Sequence, residues 1–163
     1  MPLLSSTTID LLKGWNLISF NIIPKNASID SVFSHIKTNL IEVKDEQSFY
    51  SPNVTPHFNS LHEVSIYKGY LVKVSTNCNL EVNGFLPPTT GSISLKKDWN
   101  LIGYPRSNSL TTELALRNIE TKIFAVKNFN GFYIPGLTTN TLQYLIPTDG
   151  YFIKAKEPVL FDY

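Results

Sequence analysis

The sequence predicts an α+β protein that is mostly β, in which two β-α-β-β-β repeats are related by a pseudo-twofold axis and share, or closely pack, a core. The first observation is that the stretch Gly14-Trp15-Asn16-Leu17-Ile18 returns as Asp98-Trp99-Asn100-Leu101-Ile102, 84 residues later. The second is that the apolar segments after each copy follow in the same order. The third is composition: 44 Ser, Thr and Asn residues against 27 charged ones, with 12% aromatic residues, favour turns and sheet over helix.

The first repeat is predicted to open with two strands and a short helix. Residues 7–12 alternate as a strand does, Lys13-Gly14 forms a turn, and the next strand ends by Pro24. A helix is predicted over residues 26–36, with Ser28 as its N-cap. Its apolar residues have the i, i+3, i+4, i+7 spacing of one buried face: Ile29, Val32, Phe33 and Ile36.

Strands and turns make up the rest of the first repeat. A hairpin turn over 45–48 is predicted between a strand over 40–45 and a return strand over 49–52, where Pro52 marks a strand end or a sheet edge. The remaining predicted elements are an irregular apolar segment over 61–66, a strand over 69–74, a turn over 77–79 and a short strand over 80–82.

The second repeat is predicted to contain the same elements. Its helix lies over residues 111–119, with Leu116 and Ile119 on the buried face. The pair Asn130-Gly131 is the strongest short hairpin signal in the chain. The predicted strands lie over 93–95, 99–102, 123–128, 132–135 and 150–154.

The spacing between corresponding residues falls from 84 at Trp99 to 81 at Gly150. This drift is expected of a duplication in which loops lost residues while buried strands kept their pattern. We predict a first repeat over 7–84, a linker over 85–91 and a second repeat over 92–163. The alternative is two separate beads joined by the Pro-containing linker.

Composition and charge exclude several classes of function. A net charge of +1 and a charged fraction of 17%, without a basic run, argue against a nucleic-acid partner. No apolar run reaches the roughly 18 residues that span a bilayer, so we expect no membrane insertion. The single Cys78 cannot form an internal disulfide and is expected to be a half-buried small residue. The first residues lack the pattern of a secretion signal, which predicts either a native start without export or a segment cut from a longer chain.

Paired stretches run through nearly the whole chain, from about residue 8 to residue 162. The two copies of the first stretch are Gly14-Trp15-Asn16-Leu17-Ile18-Ser19 and Trp99-Asn100-Leu101-Ile102-Gly103. The later pairs are Val43-Lys44-Asp45 with Val126-Lys127-Asn128, Phe49-Tyr50-Ser51-Pro52 with Phe132-Tyr133-Ile134-Pro135, and Gly69-Tyr70-Leu71-Val72-Lys73 with Gly150-Tyr151-Phe152-Ile153-Lys154.

In these stretches the chain resembles the tandem Gly-Trp-Asn-Leu-Ile repeat (GWNLI) domain of surface and secreted proteins of Bacteroidota and related bacteria. The resemblance implies an ancillary module in cell-surface assemblies, often beside adhesive or glycan-binding domains, with no established activity and no catalytic residues. The chain departs from the family pattern at Asp98, where glycine is usual, and in having no export signal. The second departure suits a virion protein of a phage that infects such bacteria, because virion proteins assemble in the host cytosol.

No residue is predicted to be catalytic, to bind a cofactor or to bind a metal. His35 lies beside the apolar helix face, and His57 and His62 lie around one loop without a third ligand nearby. The adjacent Asp45 and Glu46 are expected on a solvated turn, because acid–base chemistry needs a carboxylate in a protected pocket.

The aromatic residues are the candidates for binding. Trp15 and Trp99 each stand beside Leu and Ile at the head of an apolar strand, and we expect both in the core. The doublets Phe49-Tyr50 and Phe132-Tyr133 are better candidates for a ligand or partner, because neighbours in a strand point to opposite faces. One member of each doublet is then core and the other exposed, with Tyr50 and Tyr133 the residues to substitute in a test. Plain aromatic residues of a sheet face are the alternative.

We carry three functional hypotheses from the sequence. The first is a non-enzymatic structural and interaction module displayed on a surface, with a virion (as a capsid decoration, spike or fibre-associated protein) preferred over a bacterial cell. Its partners are other proteins of a larger assembly. The second is a bacterial cell-surface adhesin or carbohydrate-binding module that binds surface glycans. The third is an enzyme of unrecognised type.

Overall fold

The computed structural model describes residues 3–163 and is mostly β, as the sequence predicts. The strands are β1 (Leu4–Leu11), β2 (Gly14–Ile18), β3 (Ile23–Pro24), β4 (Leu40–Lys44), β5 (Phe49–Tyr50), β6 (Tyr70–Val74), β7 (Cys78–Phe85), β8 (Ser92–Leu95), β9 (Asp98–Ile102), β10 (Leu110–Thr111), β11 (Ile123–Lys127), β12 (Phe132–Tyr133), β13 (Tyr144–Leu145), β14 (Tyr151–Ala155) and β15 (Val159–Asp162). The α-helices are α1 (Ile29–Val32) and α2 (Thr112–Leu116).

The strands form small antiparallel sheets. One four-stranded sheet has the order β2-β6-β4-β5, and the other has the order β9-β14-β11-β12. A three-stranded sheet, β1-β7-β3, and a two-stranded sheet, β8-β15, lie beside them, and β10 pairs with β13. Each four-stranded sheet therefore consists of the strand that contains its tryptophan, the strand after its helix, the hairpin partner of that strand and one later strand, β6 or β14.

The helices are shorter than predicted. Each is about one turn long and is followed by a 3₁₀ turn, Ser34–Ile36 after α1 and Glu120–Lys122 after α2. Ser28 is the N-cap residue of α1, as predicted, but its side chain makes no capping hydrogen bond. The Ser34 hydroxyl instead donates to the Ser31 carbonyl at 2.9 Å, and such side chains compete with the helical backbone pattern.

Two apolar clusters form the interior of the described chain, one drawn from residues 9–82 and one from residues 93–163. The predicted buried helix faces are confirmed in both. All of these residues are at most 6% exposed: Ile29, Val32, Phe33, Ile36, Leu116 and Ile119. Because so short a helix is not stable alone, this burial is what holds each one in place.

Backbone segments join the two halves where β2 and β9 end and where β6 and β14 begin. The Gly69 amide donates to the Leu101 carbonyl at 3.3 Å, and the Gly150 amide donates to the Leu17 carbonyl at 3.4 Å. We call this contact, formed by residues 17–19, 67–69, 101–104 and 148–150, the seam. A Cβ atom on Gly69 would lie 2.7 Å from the Ile102 carbonyl oxygen. The two backbone segments are therefore too close together for a residue with a side chain at position 69.

Several elements differ from the prediction. The predicted turn over 77–79 lies largely within β7, which continues to Phe85 because its last residues pair with β3. The final strand β15 and the two-residue strands β3, β10 and β13 were not predicted, since so few residues show no alternation. Among residues 3–163, no helix has the length and apolar character needed to cross a membrane.

Candidate functional site

Trp15 and Trp99 lie on the outer faces of the two four-stranded sheets, so the prediction that they belong to the core is wrong. Their exposed fractions are 39% and 40%. Strand alternation explains the placement, because the inner face of the first sheet is filled by Tyr70, Val72 and Val74, which are at most 1% exposed. In both halves, therefore, the tryptophan next to Leu and Ile lies on the outer side of its sheet.

The turn before each tryptophan has a left-handed backbone. Gly14 has a φ angle of +98°, and Asp98 has a φ angle of +73°. Glycine adopts this region without strain, and aspartate tolerates it better than most residues. Asp98 thus takes the same left-handed turn before Trp99 that Gly14 takes before Trp15.

The asparagine after each tryptophan closes that turn. Asn16 Oδ1 accepts from the Leu12 amide at 2.9 Å, and its Nδ2 donates to the Leu12 carbonyl at 2.8 Å. Asn100 does the same with Lys96, at 2.9 and 2.8 Å. These paired bonds fix the start of β2 and β9 and with it the direction of each indole.

Two lysines flank each indole. In the first half, Lys44 Nζ and Lys73 Nζ lie 5.2 and 5.4 Å from the Trp15 ring centroid. In the second half, Lys127 Nζ and Lys154 Nζ lie 4.7 and 5.9 Å from the Trp99 ring centroid. Cation–π attraction at such distances holds both the rings and the ammonium groups in place.

We call these two outer surfaces the Trp15 face and the Trp99 face. The Trp15 face consists of Trp15, Glu42, Lys44, Phe49, Leu71 and Lys73. The Trp99 face consists of Trp99, Phe124, Lys127, Phe132, Phe152, Lys154 and Lys156.

The two faces differ in charge and in aromatic content. On the Trp15 face, Glu42 forms an ion pair with Lys44 at 3.1 Å. In the second half, Ala125 takes the place of Glu42 opposite the outer lysine of the central strand. Among the described residues, the lysines of the Trp99 face form no ion pair. The Trp99 face is therefore the more cationic and the more aromatic of the two.

The aromatic doublets divide as strand alternation predicts, but the tyrosines are the buried members. Tyr50 and Tyr133 are 5% and 3% exposed. The Tyr50 hydroxyl donates to Asp30 at 2.6 Å, and the Tyr133 hydroxyl donates to Glu120 at 2.7 Å. Both tyrosines are buried and hydrogen-bonded within the chain, so substituting them would disturb packing as well as any binding surface.

The phenylalanines of the doublets lie on the faces just defined. Phe132 is 39% exposed and pairs with Lys127 across the strands, and Phe49 is half-buried and pairs with Lys44. Of the four residues predicted from the sequence as ligand or partner contacts, these two are the more exposed.

Of the acidic pair on the first hairpin turn, Glu46 is exposed as expected, but Asp45 is not. The Asp45 side chain is 3% exposed and accepts from Lys68 Nζ at 2.7 Å. Burial alone would raise the pKa of Asp45, but the hydrogen bonds from Lys68 and from two turn amides outweigh it and lower the pKa. Glu46 reaches the second half, where it pairs with Lys96 at 2.6 Å and accepts from the Leu101 amide. Both carboxylates are thus committed to structure.

Other titratable groups are also held in structural bonds. The hydroxyls of Tyr70 and Tyr151 each accept from a backbone amide at 2.7 Å, and burial raises the pKa of both phenols. Burial likewise raises the pKa of Asp149. Cys78 is half-buried, as predicted, and burial raises the pKa of its thiol.

The histidines are not brought together with other metal-binding side chains. Within residues 3–163, no group of three or more His, Cys, Asp and Glu side chains is arranged to hold a metal ion. His57 packs against Phe58 with ring centroids 4.1 Å apart, and His35 Nδ1 lies 3.4 Å from the Ser34 hydroxyl.

Comparison with known proteins finds no family model, no curated protein and no solved structure that matches this chain.

Proposed function

We propose that the protein is a non-enzymatic structural and interaction module displayed on a surface, and that its partner proteins bind at the Trp15 and Trp99 faces. The observation that carries the proposal is the repeated arrangement of a tryptophan, about two-fifths exposed, between two lysines. The chain has only two tryptophans, and both occupy this arrangement.

The chemistry of the faces supports binding. Tryptophan is enriched among the residues that dominate the energy of protein interfaces, where a rigid aromatic body is desolvated by a partner. The turn bonds of Asn16 and Asn100 hold the indoles in one position before binding, which reduces the entropy that association costs. The titratable groups with shifted pKa values, in contrast, already have structural partners, which favours a non-enzymatic role.

We also infer that the halves are two copies of one β-α-β-β-β unit, related by a pseudo-twofold axis and closely packed. The support is reciprocal contact at the seam. A Cβ atom on Gly69 would meet the Ile102 carbonyl oxygen at 2.7 Å, and one on Gly150 would meet the Ile18 carbonyl oxygen at 2.7 Å. Such an arrangement would present the two tryptophan faces as a matched pair.

The test compares the chain with the double variant Trp15→Ala/Trp99→Ala in the surface assembly that carries it. We expect the double variant to be lost from the assembly, while Tyr144→Ala is retained. Tyr144 is the matched control because it is 52% exposed and lies on β13, away from both faces. Thermal unfolding of the purified variants shows that each is folded. Retention of a folded double variant at the level of the parent chain would contradict the proposal.

A virion as the carrier stays a prediction from the sequence resemblance. Mass spectrometry of purified phage particles tests it directly, because the chain must be present at a fixed ratio to the capsid protein. Its absence from intact particles, with presence in bacterial envelopes, would favour the cell-surface alternative.

Carbohydrate binding is a second candidate for the Trp99 face. Trp99 and Phe152 pack edge to face with ring centroids 6.5 Å apart, and unpaired lysines surround them, which suits an acidic polysaccharide. Trp15→Phe leaves Trp99 as the only tryptophan, so its fluorescence reports on this face alone. We expect a polyuronate such as alginate to change that emission, whereas neutral dextran does not. Equal responses to both, or none to alginate, would remove this candidate.

A further inference from the structure

A second surface feature, separate from both tryptophan faces, is a cleft in the second half. It has a volume of about 730 Å³ and lies between α2 and the paired strands β8 and β15. The chain has only two arginines, Arg106 and Arg117, and both line this cleft.

Neither arginine has a partner within the described chain that would explain its position. The Nε atom of Arg106 is buried and has no hydrogen-bond acceptor. Among residues 3–163, neither guanidinium forms an ion pair, although Asp162 also lines the cleft. The Asp162 carboxylate accepts from Asn118 at 3.1 Å instead. Because neither guanidinium is bonded within the described chain, both are able to bond an anion that enters the cleft.

The corresponding positions of the first half carry no charge. Ile22 stands 84 residues before Arg106 and is 1% exposed, as part of the first apolar cluster. Ser34 stands 83 residues before Arg117. The two arginines are therefore not part of the strand pattern that the two halves have in common. Both line a cleft in the second half.

The other residues that line the cleft indicate which chemical groups a ligand would have besides its acidic group. An apolar wall is formed by Leu110 and Leu114, and the exposed rim has the hydroxyl groups of Thr90 and Ser92. The volume falls within the range of small-molecule sites, roughly 300–1,000 Å³. An apolar wall with a hydroxyl rim suits the faces and hydroxyl groups of a sugar ring, and guanidinium groups suit a carboxylate or phosphate.

We propose that this cleft binds an acidic sugar whose carboxylate or phosphate lies between Arg106 and Arg117. Arg106 lines the cleft from the loop after β9, and Arg117, an exposed residue that directly follows α2, supplies the second guanidinium. The inference does not depend on the proposed function, because no residue of the cleft belongs to the Trp15 face or the Trp99 face.

The arginine side chains provide their own reporter. A ¹⁵N spectrum of this chain contains only two arginine Nε–H signals, and Arg117→Gln assigns them. The probes are glucuronate, glucose 6-phosphate, neutral glucose and acetate. We expect glucuronate or glucose 6-phosphate to move both signals, and the comparison between the two tells whether the carboxylate or the phosphate is preferred. We expect glucose and acetate to bind at least about tenfold more weakly, because each lacks either the acidic group or the ring.

Substitution then tests the role of each arginine. Arg117→Gln should weaken the preferred acidic sugar by about tenfold or more, and Arg117 is exposed enough for the variant to fold. Lys97→Gln, an exposed cation outside the cleft, should leave affinity unchanged. Arg106→Gln should abolish binding, and if it fails to fold the Arg117 result still decides. Unmoved arginine signals with both acidic sugars at tens of millimolar would overturn the proposal. So would glucose or acetate binding as tightly as the acidic sugars.

Discussion

The hydroxyl of Ser19 donates a 2.6 Å hydrogen bond to the backbone carbonyl of Asp149, 130 residues later in the chain. The same oxygen accepts from the Tyr104 amide at 3.1 Å, and Ser19 is fully buried. One small polar side chain therefore joins the end of β2 to two separate segments of the second half. Among the described residues, it is the only hydroxyl side chain that bonds to the backbone of the opposite half.

Ser19→Ala should lower the free energy of unfolding by about 1–3 kcal/mol, because it leaves a part-buried carbonyl and a buried amide without partners. Ser109→Ala is the control, since Ser109 is exposed and its change should stay within about 0.5 kcal/mol. Urea denaturation measures both. A Ser19→Ala variant as stable as the control would show that the seam does not depend on this hydroxyl.

Gly69→Ala and Gly150→Ala should each destabilise the chain by about 1–3 kcal/mol, because an added Cβ would lie 2.7 Å from a carbonyl oxygen of the other half. The pseudo-twofold inference adds that the two losses should be similar in size. Chemical denaturation of both variants checks this. A large loss in one and none in the other would argue against equivalent packing of the halves.

Asp45→Asn should cost about 1 kcal/mol near neutral pH by removing the charge that Lys68 contacts. The turn itself should survive, because Asn128 makes the corresponding turn bonds in the second half. Since the folded-state pKa of Asp45 lies below its ordinary value of 3.8, the stabilisation is present above that pH and is lost as the pH falls through the folded-state pKa. Unfolding measured from pH 7 to pH 2 should show the parent and the variant converging in acid. A gap that widens in acid would contradict the assignment.

Tyr50→Phe should remove one phenol that titrates at high pH. Burial and the hydrogen bond to Asp30 raise the pKa of Tyr50 from 10.0 to about 12. The raised value means that the protonated phenol stabilises the fold fully below pH 10 and that this contribution is lost as the pH rises through about 12. Ultraviolet titration of tyrosinate absorbance compares the parent with the variant. If Tyr50→Phe instead removes a phenol that titrates near the ordinary pKa of 10.0, the result contradicts this account.

The strand pattern could be read from the sequence because buried positions repeat. The alternation in Tyr70–Val74 and Tyr151–Ala155 and the turn at Asn130-Gly131 are local signals, and the structure has the corresponding strands and hairpin. The helices were overestimated because apolar spacing survives in a one-turn helix followed by a 3₁₀ turn. The spacing at Ile29 and Val32 predicts which residues are buried but not how many helical turns connect them.

The site was harder to predict because it depends on contacts between distant segments. Trp15 beside Leu17 and Ile18 resembles a core strand, and only its pairing with Lys73 reveals the outer face. The sequence places Glu46 on a turn but does not reveal its ion pair, because the partner Lys96 is 50 residues away. Arg106 and Arg117 belong to no motif, and only the fold brings them to one cleft. The sequence does contain one signal for these arginines, which is the comparison of the two halves. Ile22 and Ser34 occupy the positions in the first half that correspond to Arg106 and Arg117.

Hydroxyl-radical footprinting of Trp15 and Trp99 tests the central claim most directly. Oxidation of the two tryptophans is compared between the isolated chain and the surface assembly that carries it, with exposed Tyr144 as the internal control. The account predicts that both tryptophans are oxidised in the isolated chain and protected in the assembly, while Tyr144 is oxidised alike in the two. Equal oxidation of the tryptophans in both states would show that the faces stay free and would contradict the account.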